Sequence, residues 1–336
     1  TFDGYYMFHR TRSNFFKYAR NDFYLREKDR NDLRKKIAID ILAAARRFGD
    51  PDRVILALDS GSWRNEIDLS YRAQRVPDPL FNWEVFWQIV EEAIKDLESI
   101  GVYPFKVNNL EADDIIHLWS KYLFKKGEHC VIISNDRDMQ QLVDYNNGSA
   151  SIIVWDNNSR SQKIVVSDSN ISSLPHANYI RKLFEDSILH RLDPISFVFR
   201  KILAGDGSDN ISQVYSFTDP ISNKVHNITE SKLDQIEKSF KKMYLSINID
   251  KIYEYKSYRK DLAISIISSF RQPLKEEVIL QVMNKINVNI KLIHLDRKYI
   301  PPLLLAEFDM LLDEAERKMP KMLKVENLKL INNGRV

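Results

Sequence analysis

The sequence predicts an α/β protein with a central, mainly parallel sheet flanked by helices, followed by a mainly helical C-terminal region. Three observations support this. The first half alternates short β-rich runs with stretches of helical periodicity, the order that parallel sheets require. After about Tyr179 the chain becomes mainly helical in pattern. Hydrophobic residues make up 44% of the 336 residues, which is ample for a buried core.

Three apolar runs are the strand candidates of the first half: Arg53–Leu58, Tyr103–Val107 and Cys130–Ser134. A hairpin is predicted further along, with one strand at Ser151–Trp155 and the other at Lys163–Val166. Each run is strand-sized and far too short to cross a membrane. The single cysteine, Cys130, excludes an internal disulfide framework and fits a reducing cytoplasm.

Helices are predicted from about Leu33 to Phe48, over Trp83–Ile100 and over Ala112–Phe124, because apolar residues recur there on one face. Pro77 and Pro79 interrupt the chain before the second of these helices, which places a loop or kink there. A polar connector around residue 170 suggests a boundary near residue 175. The predicted domains are therefore residues 1–175 and 176–336.

Charge points weakly to a polyanionic partner. The net charge is only +3, but residues 10–36 crowd Arg and Lys together with aromatic residues. That mixture suits a phosphate backbone and base faces. On this stretch alone, the solvated face of an amphipathic helix is the favoured interpretation.

Acidic residues occupy one kind of position along the chain, the boundary of an element. Asp59 follows the run "RVILAL", and Asp136 and Asp138 follow "CVIIS". Asp3 would follow a first strand whose beginning lies before Thr1. Ligands of open α/β sheets bind outside the carboxyl ends of the strands, so these acids should converge on one crevice.

Two further acidic groups extend this set. The segment "EADD" places Glu111, Asp113 and Asp114 at a predicted helix start, and "GDGSDN" places Asp206 and Asp209 on one side of a turn. Many carboxylates with few histidines nearby form the ligand chemistry of Mg²⁺ or Mn²⁺. Two such ions about 4 Å apart serve phosphoryl transfer. Each fragment alone also fits a turn, a helix cap or a helix-dipole partner.

These motifs together resemble the 5′-nuclease superfamily, the flap endonucleases and 5′-to-3′ exonucleases with a PIN-like core. The matching segments are "FDGYYMFHR", "LALDSGSWR", "YRAQR", "EADD", "SNDRD" and "GDGSDN", in the family's order. The resemblance implies a site for two Mg²⁺ ions, for which Mn²⁺ would substitute. Its implied ligands are Asp3, Asp59, Glu111, Asp113, Asp136 and Asp138, with Asp114, Asp206 and Asp209 completing the set partly through water.

The segment "WRNEIDLSYRAQR" is similar to the family's helical arch, here about residues 62–90. The resemblance implies that Arg64, Tyr71, Arg72 and Arg75 bind the substrate, and that Arg72 and Arg75 act in catalysis beside Asp59 and Asp136. Many relatives have lysine where this chain has Arg72. A guanidinium can fork onto phosphate oxygens but does not readily lose its proton.

The chain departs from the family after Asp209. Most flap endonucleases have a Gly-x-Gly turn there that grips duplex DNA, commonly with a potassium ion. Here "NISQVYSFTDPISNKVHNITESK" contains no glycine, so neither that turn nor the potassium ion is carried over. This loss, together with "IHLDRKYIPPLLL", is similar to the ribonuclease H branch of T-even phages.

The resulting hypothesis is a Mg²⁺-dependent 5′-to-3′ nuclease that acts on DNA ends or flaps and on RNA–DNA hybrids, as in primer removal during replication. It would be a cytoplasmic monomer, and the resemblance alone implies a sliding-clamp or single-strand-binding partner. Two alternatives remain open from the residues. One is a PIN-type ribonuclease acting on single-stranded RNA. The other is a non-catalytic, structure-specific DNA-binding protein.

Overall fold

The computed structural model describes residues 2–3, 7, 26–47, 51–146, 150–156, 163–167 and 188–319. The chain divides into two compact units. The first draws on Thr1–Ser62, Pro77–Arg191 and Ile300–Val336, and the second on Trp63–Val76 and Leu192–Tyr299. The boundary predicted near residue 175 lies outside the described residues and stays a prediction. No helix in the described ranges is long and apolar enough to span a bilayer.

A mainly parallel sheet forms the centre of the first unit, which confirms the predicted fold class. Its strands are β1 (Phe2–Asp3), β2 (Val54–Leu58), β3 (Val102–Lys106), β4 (His129–Ile133), β5 (Asp144–Asn146), β6 (Ala150–Asp156), β7 (Lys163–Ser167) and β8 (Ile188–Leu192). Their order is β3-β2-β1-β4-β6-β7-β8, with β5 also pairing with β6. The five strands from β3 to β6 in that order are parallel, whereas β5 and β7 run antiparallel to β6.

The strand order reverses at β1. From β1 the chain adds β2 and then β3 on one side, and β4 and then β6 on the other. Phe2 pairs with Leu56 of β2 and also with Ile133 of β4. Such a reversal opens a crevice at the carboxyl ends of the strands. The residues that follow β1, β2 and β4 are therefore placed around one point.

The three strands predicted in the first half are confirmed to within one residue at each end, and so is the β6–β7 hairpin. Strands β5 and β8 were not predicted. The helices are α1 (Glu27–Arg46), α2 (Trp83–Ser99), α3 (Ala112–Lys125), α4 (Pro194–Ala204), α5 (Glu230–Tyr244), α6 (Ile249–Glu254), α7 (Lys256–Ser269), α8 (Glu276–Ile293) and α9 (Pro302–Lys318). Helix α1 begins at Glu27 rather than Leu33, because the polar first turns carry no apolar period that would reveal them.

Helices α1 and α2 pack together on the sheet. Ile37 and Ile41 of α1 share a buried core with Phe86 of α2, and each such side chain contributes roughly 2 kcal/mol by its burial. Arg34 donates from Nε to Asp96 Oδ2 at 2.6 Å, which pins the polar rim of that interface. Helix α3 packs against β1, β2, β4 and β6, so its N-terminus lies at the carboxyl edge of the sheet.

The last described helix, α9, belongs to the first unit. The ring of Phe308 packs against that of Phe105 in β3, with 5.2 Å between centroids. Lys126 Nζ lies 2.7 Å from Glu316 Oε2. The described chain therefore returns to the sheet after passing through the second unit.

The second unit is mainly helical, as predicted, and is built from α4 to α8. Phe199 of α4 and Phe240 of α5 stack in its core, with 5.9 Å between ring centroids. A short antiparallel hairpin, β9 (Phe217–Thr218) with β10 (Val225–His226), was not predicted and lies in the segment that lacks the family's glycine turn. Its turn is held by Asp219, whose carboxylate accepts the Ile221 N–H at 2.8 Å.

Candidate metal and nucleic-acid site

Asp59 is held where β2 ends. Its Oδ1 accepts the N–H of Ala112, the first residue of α3, at 2.9 Å. The loops on either side are tied together, because Ser60 donates its N–H to the Leu110 carbonyl at 3.1 Å and accepts the Asn109 N–H at 2.6 Å. Hydrogen bonds thus fix the end of β2 against the start of α3.

The acidic start of α3 combines charge with burial. Glu111 is 2% exposed and Asp114 is 1% exposed, whereas Asp113 is half-buried. Ile115 and Ile116 are completely buried and anchor the helix against the sheet. Buried carboxylates are costly unless hydrogen bonds or cations compensate them. The helix N-terminus supplies part of that compensation through its backbone dipoles.

Asp136 and Asp138 follow β4 in a tight turn. The Asp136 N–H donates to Ser134 Oγ at 3.0 Å, and Asp136 Oδ1 accepts the Asp138 N–H at 2.8 Å. Ser134 is itself completely buried. Asp3 ends β1 opposite Ala57, but its side chain lies outside the described residues. The topology therefore places the predicted acids of the first unit along one edge of the sheet.

Asp206 and Asp209 lie in the second unit, in the loop after α4. Lys201 Nζ lies 2.7 Å from Asp206 Oδ2, and Asp206 Oδ1 accepts the Ser208 N–H at 2.8 Å. Burial raises the pKa of Asp206, but Lys201 and Ser208 outweigh it and lower the pKa to about 2. Gly205 precedes this loop at φ +74°, and a Cβ there would lie 2.4 Å from the Ile211 carbonyl oxygen. Only glycine fits that position.

Asp209 is the centre of a cluster of donors from residues 71–75. Its carboxylate, 6% exposed, accepts from Arg72 Nε at 3.0 Å and from the Tyr71 hydroxyl at 3.3 Å. Arg75 Nη2 also donates to it. The Asp209 carbonyl accepts the Arg72 N–H at 2.9 Å. The acid predicted as a metal ligand thus holds the two arginines predicted to bind substrate.

Arg64 and Tyr71 are less accessible than a substrate contact would require. Arg64 is 2% exposed, and its Nε donates to the Leu292 carbonyl at 3.0 Å. Tyr71 is 4% exposed and turns its hydroxyl toward Asp209. In this structure both side chains secure the segment that carries the arginines. Their predicted contact with substrate stays a prediction, as does metal binding by Asp206 and Asp209.

Sequence reasoning missed several supporting residues. Lys201 lies one helical turn before the loop that it neutralises, a signal that was available in the sequence. Gln74 donates to the carbonyls of Gly207 and Ser208, and buried Asn289 donates to those of Ile202 and Ser212. The donor and acceptor of each of these hydrogen bonds lie far apart in the sequence, so no local sequence pattern predicts them.

Residues 2–172 match the family described as "5'-3' exonuclease, N-terminal resolvase-like domain". The chain belongs to the 5′-3′ exonuclease family. A 5′-3′ exonuclease of Mycoplasmopsis pulmonis is 25% identical over 322 residues, which cover 94% of this chain and 94% of that protein. The family assignment confirms the predicted superfamily and makes the chain a nuclease, in a family that generally depends on metal ions.

Solved structures of a phage protein share the fold. The T5 D15 protein co-crystallised with metal ions has a TM-score of 0.58 at 17% identity, over 94% of this chain and 97% of that one. The T5 D15 flap endonuclease in a pseudo-enzyme–product complex with DNA and metal ions has a TM-score of 0.54, also at 17% identity. It spans 94% of this chain and 98% of that one.

Proposed function

We propose that this nuclease requires Mg²⁺ and works from 5′ ends, on DNA flaps or termini and on the RNA strand of RNA–DNA hybrids. The observation that carries the proposal is the row of carboxylates at the carboxyl edge of a parallel sheet, at the point where the strand order reverses. That position is where open α/β sheets bind ligands. Primer or flap removal during replication is the process that such an activity would serve.

The residues of the first unit fit divalent cations. The donor set consists of oxygen atoms alone, which suits Mg²⁺ or Mn²⁺ rather than a softer metal. Glu111 is buried at the edge, and Asp59 and Asp136 are oriented by backbone N–H groups. When bound, the ions would stabilise charge on the phosphate and supply the hydrolytic nucleophile. The proposed ligands are Asp3, Asp59, Glu111, Asp113, Asp136 and Asp138, with Asp114 in an outer position.

Substrate phosphate is proposed to meet Arg72 and Arg75. Each guanidinium presents several N–H donors, so one edge can stay on Asp209 while another bonds a phosphate oxygen. Arg75 is the more accessible, with 49% of its side chain exposed against 22% for Arg72. Asp209 would then act by fixing the direction of both arginines before substrate arrives.

DNA is the substrate proposed first, because a structural neighbour is a flap endonuclease complexed with DNA. If metals neutralised the seven proposed ligands, the formal charge of +3 would rise by 7 to +10. A protein this basic outside its metal site would bind a polyanion in a salt-dependent manner. Activity on RNA–DNA hybrids and kinship with the phage ribonuclease H branch are the finer parts of the proposal.

The test is a panel of 5′-end-labelled substrates: a 5′-flap duplex, a nicked duplex, an RNA–DNA hybrid and a single-stranded RNA. Each is incubated with Mg²⁺, Mn²⁺ or EDTA. We expect short labelled products from the flap and the hybrid with either metal, and none with EDTA. Cleavage of single-stranded RNA alone would overturn the proposal and favour the PIN-type ribonuclease. Metal-independent cleavage would refute the assigned chemistry.

A further inference from the structure

A second group of metal-ligating side chains lies in the second unit and contains none of the predicted nuclease residues. Asp250 comes from the first turn of α6, whereas His294 and Asp296 follow the end of α8. Each offers one ligand atom, and these three atoms all lie within 4.8 Å of one another. His294 and Asp296 belong to the segment "IHLDRKYIPPLLL", but the proposed nuclease chemistry uses none of the three residues.

The backbone around this cluster is fixed by its own hydrogen bonds. The His294 N–H donates to the Ile290 carbonyl at 2.9 Å, which ends α8 at this point. Asp296 Oδ1 accepts the Lys298 N–H at 3.0 Å, and the Asp296 carbonyl accepts the Tyr299 N–H at 3.1 Å. Asp296 still offers one carboxylate oxygen to the cluster. Two of the three side chains are therefore presented from an ordered turn.

Tyr299 supplies an independent observation. It is 8% exposed, and its hydroxyl oxygen is buried without a hydrogen-bond partner among the described residues. Its ring lies against that of His294, with 5.6 Å between centroids. The carboxylates of Asp250 and Asp296 act electrostatically on this hydroxyl, so it belongs to the surroundings of the cluster. A buried donor beside this cluster calls for an acceptor that the described chain does not provide.

The cluster already attracts a cation. Lys298 Nζ bonds Asp250 Oδ1, and the same ammonium lies 5.0 Å from the centroid of the Tyr299 ring. An ammonium delivers one positive charge on a flexible stem, whereas a divalent ion would satisfy both carboxylates together. Lys298 and a metal ion would therefore compete for Asp250.

We propose that Asp250, His294 and Asp296 bind a divalent metal ion of the zinc class, with the Tyr299 hydroxyl donating to a water on that ion. One imidazole nitrogen with two carboxylates suits Zn²⁺, and less so Mg²⁺, which prefers oxygen ligands alone. Ligand atoms on a tetrahedral zinc lie roughly 3.3 Å apart, so the exposed Asp250 side chain must move inward. The ion would tie α6 to the end of α8.

The probe is Zn²⁺, added to the EDTA-stripped 336-residue chain carrying Asp136→Asn, which weakens the proposed nuclease site. Equilibrium dialysis with elemental analysis should show one tightly bound zinc. His294→Gln and Asp296→Asn should each weaken that zinc at least tenfold. His226→Gln, a histidine elsewhere in the same unit, is the matched control and should leave it unchanged. Lys298→Met should tighten binding about fivefold, because the competing ammonium is removed.

Equal zinc affinity in the parent and in His294→Gln would overturn the proposal, and so would weaker binding in Lys298→Met. Circular dichroism checks that each variant folds. If the ligand variants do not fold, Mn²⁺ is titrated into the unaltered chain and the histidine ring resonances are followed by NMR. Selective broadening of the His294 resonance supports the site, and broadening that spares it refutes the site.

Discussion

Two groups of acids look alike in sequence but differ in their partners in the structure. One group lies at the sheet edge of the first unit, and the other lies in the loop after α4. Asp59 and Asp136 accept hydrogen bonds from backbone N–H groups, which orient a carboxylate without cancelling its charge. Asp206 and Asp209 face Lys201, Arg72 and Arg75, whose charges balance theirs within the unit. Similar acidic motifs thus have different partners: backbone N–H groups orient Asp59 and Asp136, whereas cationic side chains contact Asp206 and Asp209.

The largest effect should come from Asp136→Asn at the sheet edge. Losing one ligand charge there should reduce cleavage of a 5′-flap about 1000-fold or more, since the charge that builds on the phosphate loses its counterion. The dissociation constant for flap DNA should change little. Asp144→Asn is the control, because Asp144 lies on β5 and pairs with Lys121. Substantial metal-dependent turnover by Asp136→Asn would show that the metal site at the sheet edge was assigned wrongly.

Mg²⁺ should stabilise the chain through the sheet-edge acids. At a Mg²⁺ concentration 100 times the dissociation constant, binding adds about 2.7 kcal/mol to the unfolding free energy, or a rise of roughly 5 °C in Tm. Differential scanning fluorimetry with Mg²⁺ and with EDTA measures this shift. Asp136→Asn should lose most of it, whereas Asp144→Asn, outside the predicted ligand set, should keep it. A Tm indifferent to saturating Mg²⁺ would contradict the prediction.

Asp209→Asn should destabilise the second unit, because it leaves Arg72 and Arg75 without their shared carboxylate. We expect a loss of about 2 kcal/mol in urea-induced unfolding. A double-mutant cycle with Arg75→Gln should show clear non-additivity. Asp234→Asn is a matched control, since Asp234 pairs with Arg200 while 70% exposed, and should cost well under about 1 kcal/mol. A similar loss of unfolding free energy in Asp209→Asn and Asp234→Asn would show that Asp209 stabilises the unit no more than an exposed acid does.

The smallest effect concerns acid stability. The pKa of Asp206 is about 2 against an ordinary 3.8, so its contribution is present above about pH 4 and is lost as the pH falls toward 2. After solvent screening, that contribution is about 1 kcal/mol. Lys201→Met should remove part of this acid dependence between pH 4 and 2. Denaturant titrations at several pH values measure this acid dependence. The same pH profile in the parent chain and in Lys201→Met would refute the role of Lys201.

Most strands and helices of the first unit could be predicted from the sequence. The strands and α2 and α3 follow hydrophobic periodicity, and the acids after β2 and β4 stand beside those periodic elements. The hairpin β9–β10 was missed because each strand has two residues, too few to show any period. The grip of Asp209 on Arg72 and Arg75 was missed for another reason. Arg72 and Arg75 lie 137 and 134 residues before Asp209 in the sequence, and only the folded unit brings them together.

The hydrogen bonds between the loops after β2 and β3 should affect the heat-capacity change of ion binding. Gly61, at φ +88°, leaves room for Asn109, whose Oδ1 would lie 2.9 Å from a Cβ at that position. Ser60 and Asn109 close these loops on each other within the folded chain. The conformational entropy of arranging them is therefore lost during folding rather than on binding. Calorimetry of Mg²⁺ binding should accordingly show a small heat-capacity change, the signature of a site that does not fold around its ion.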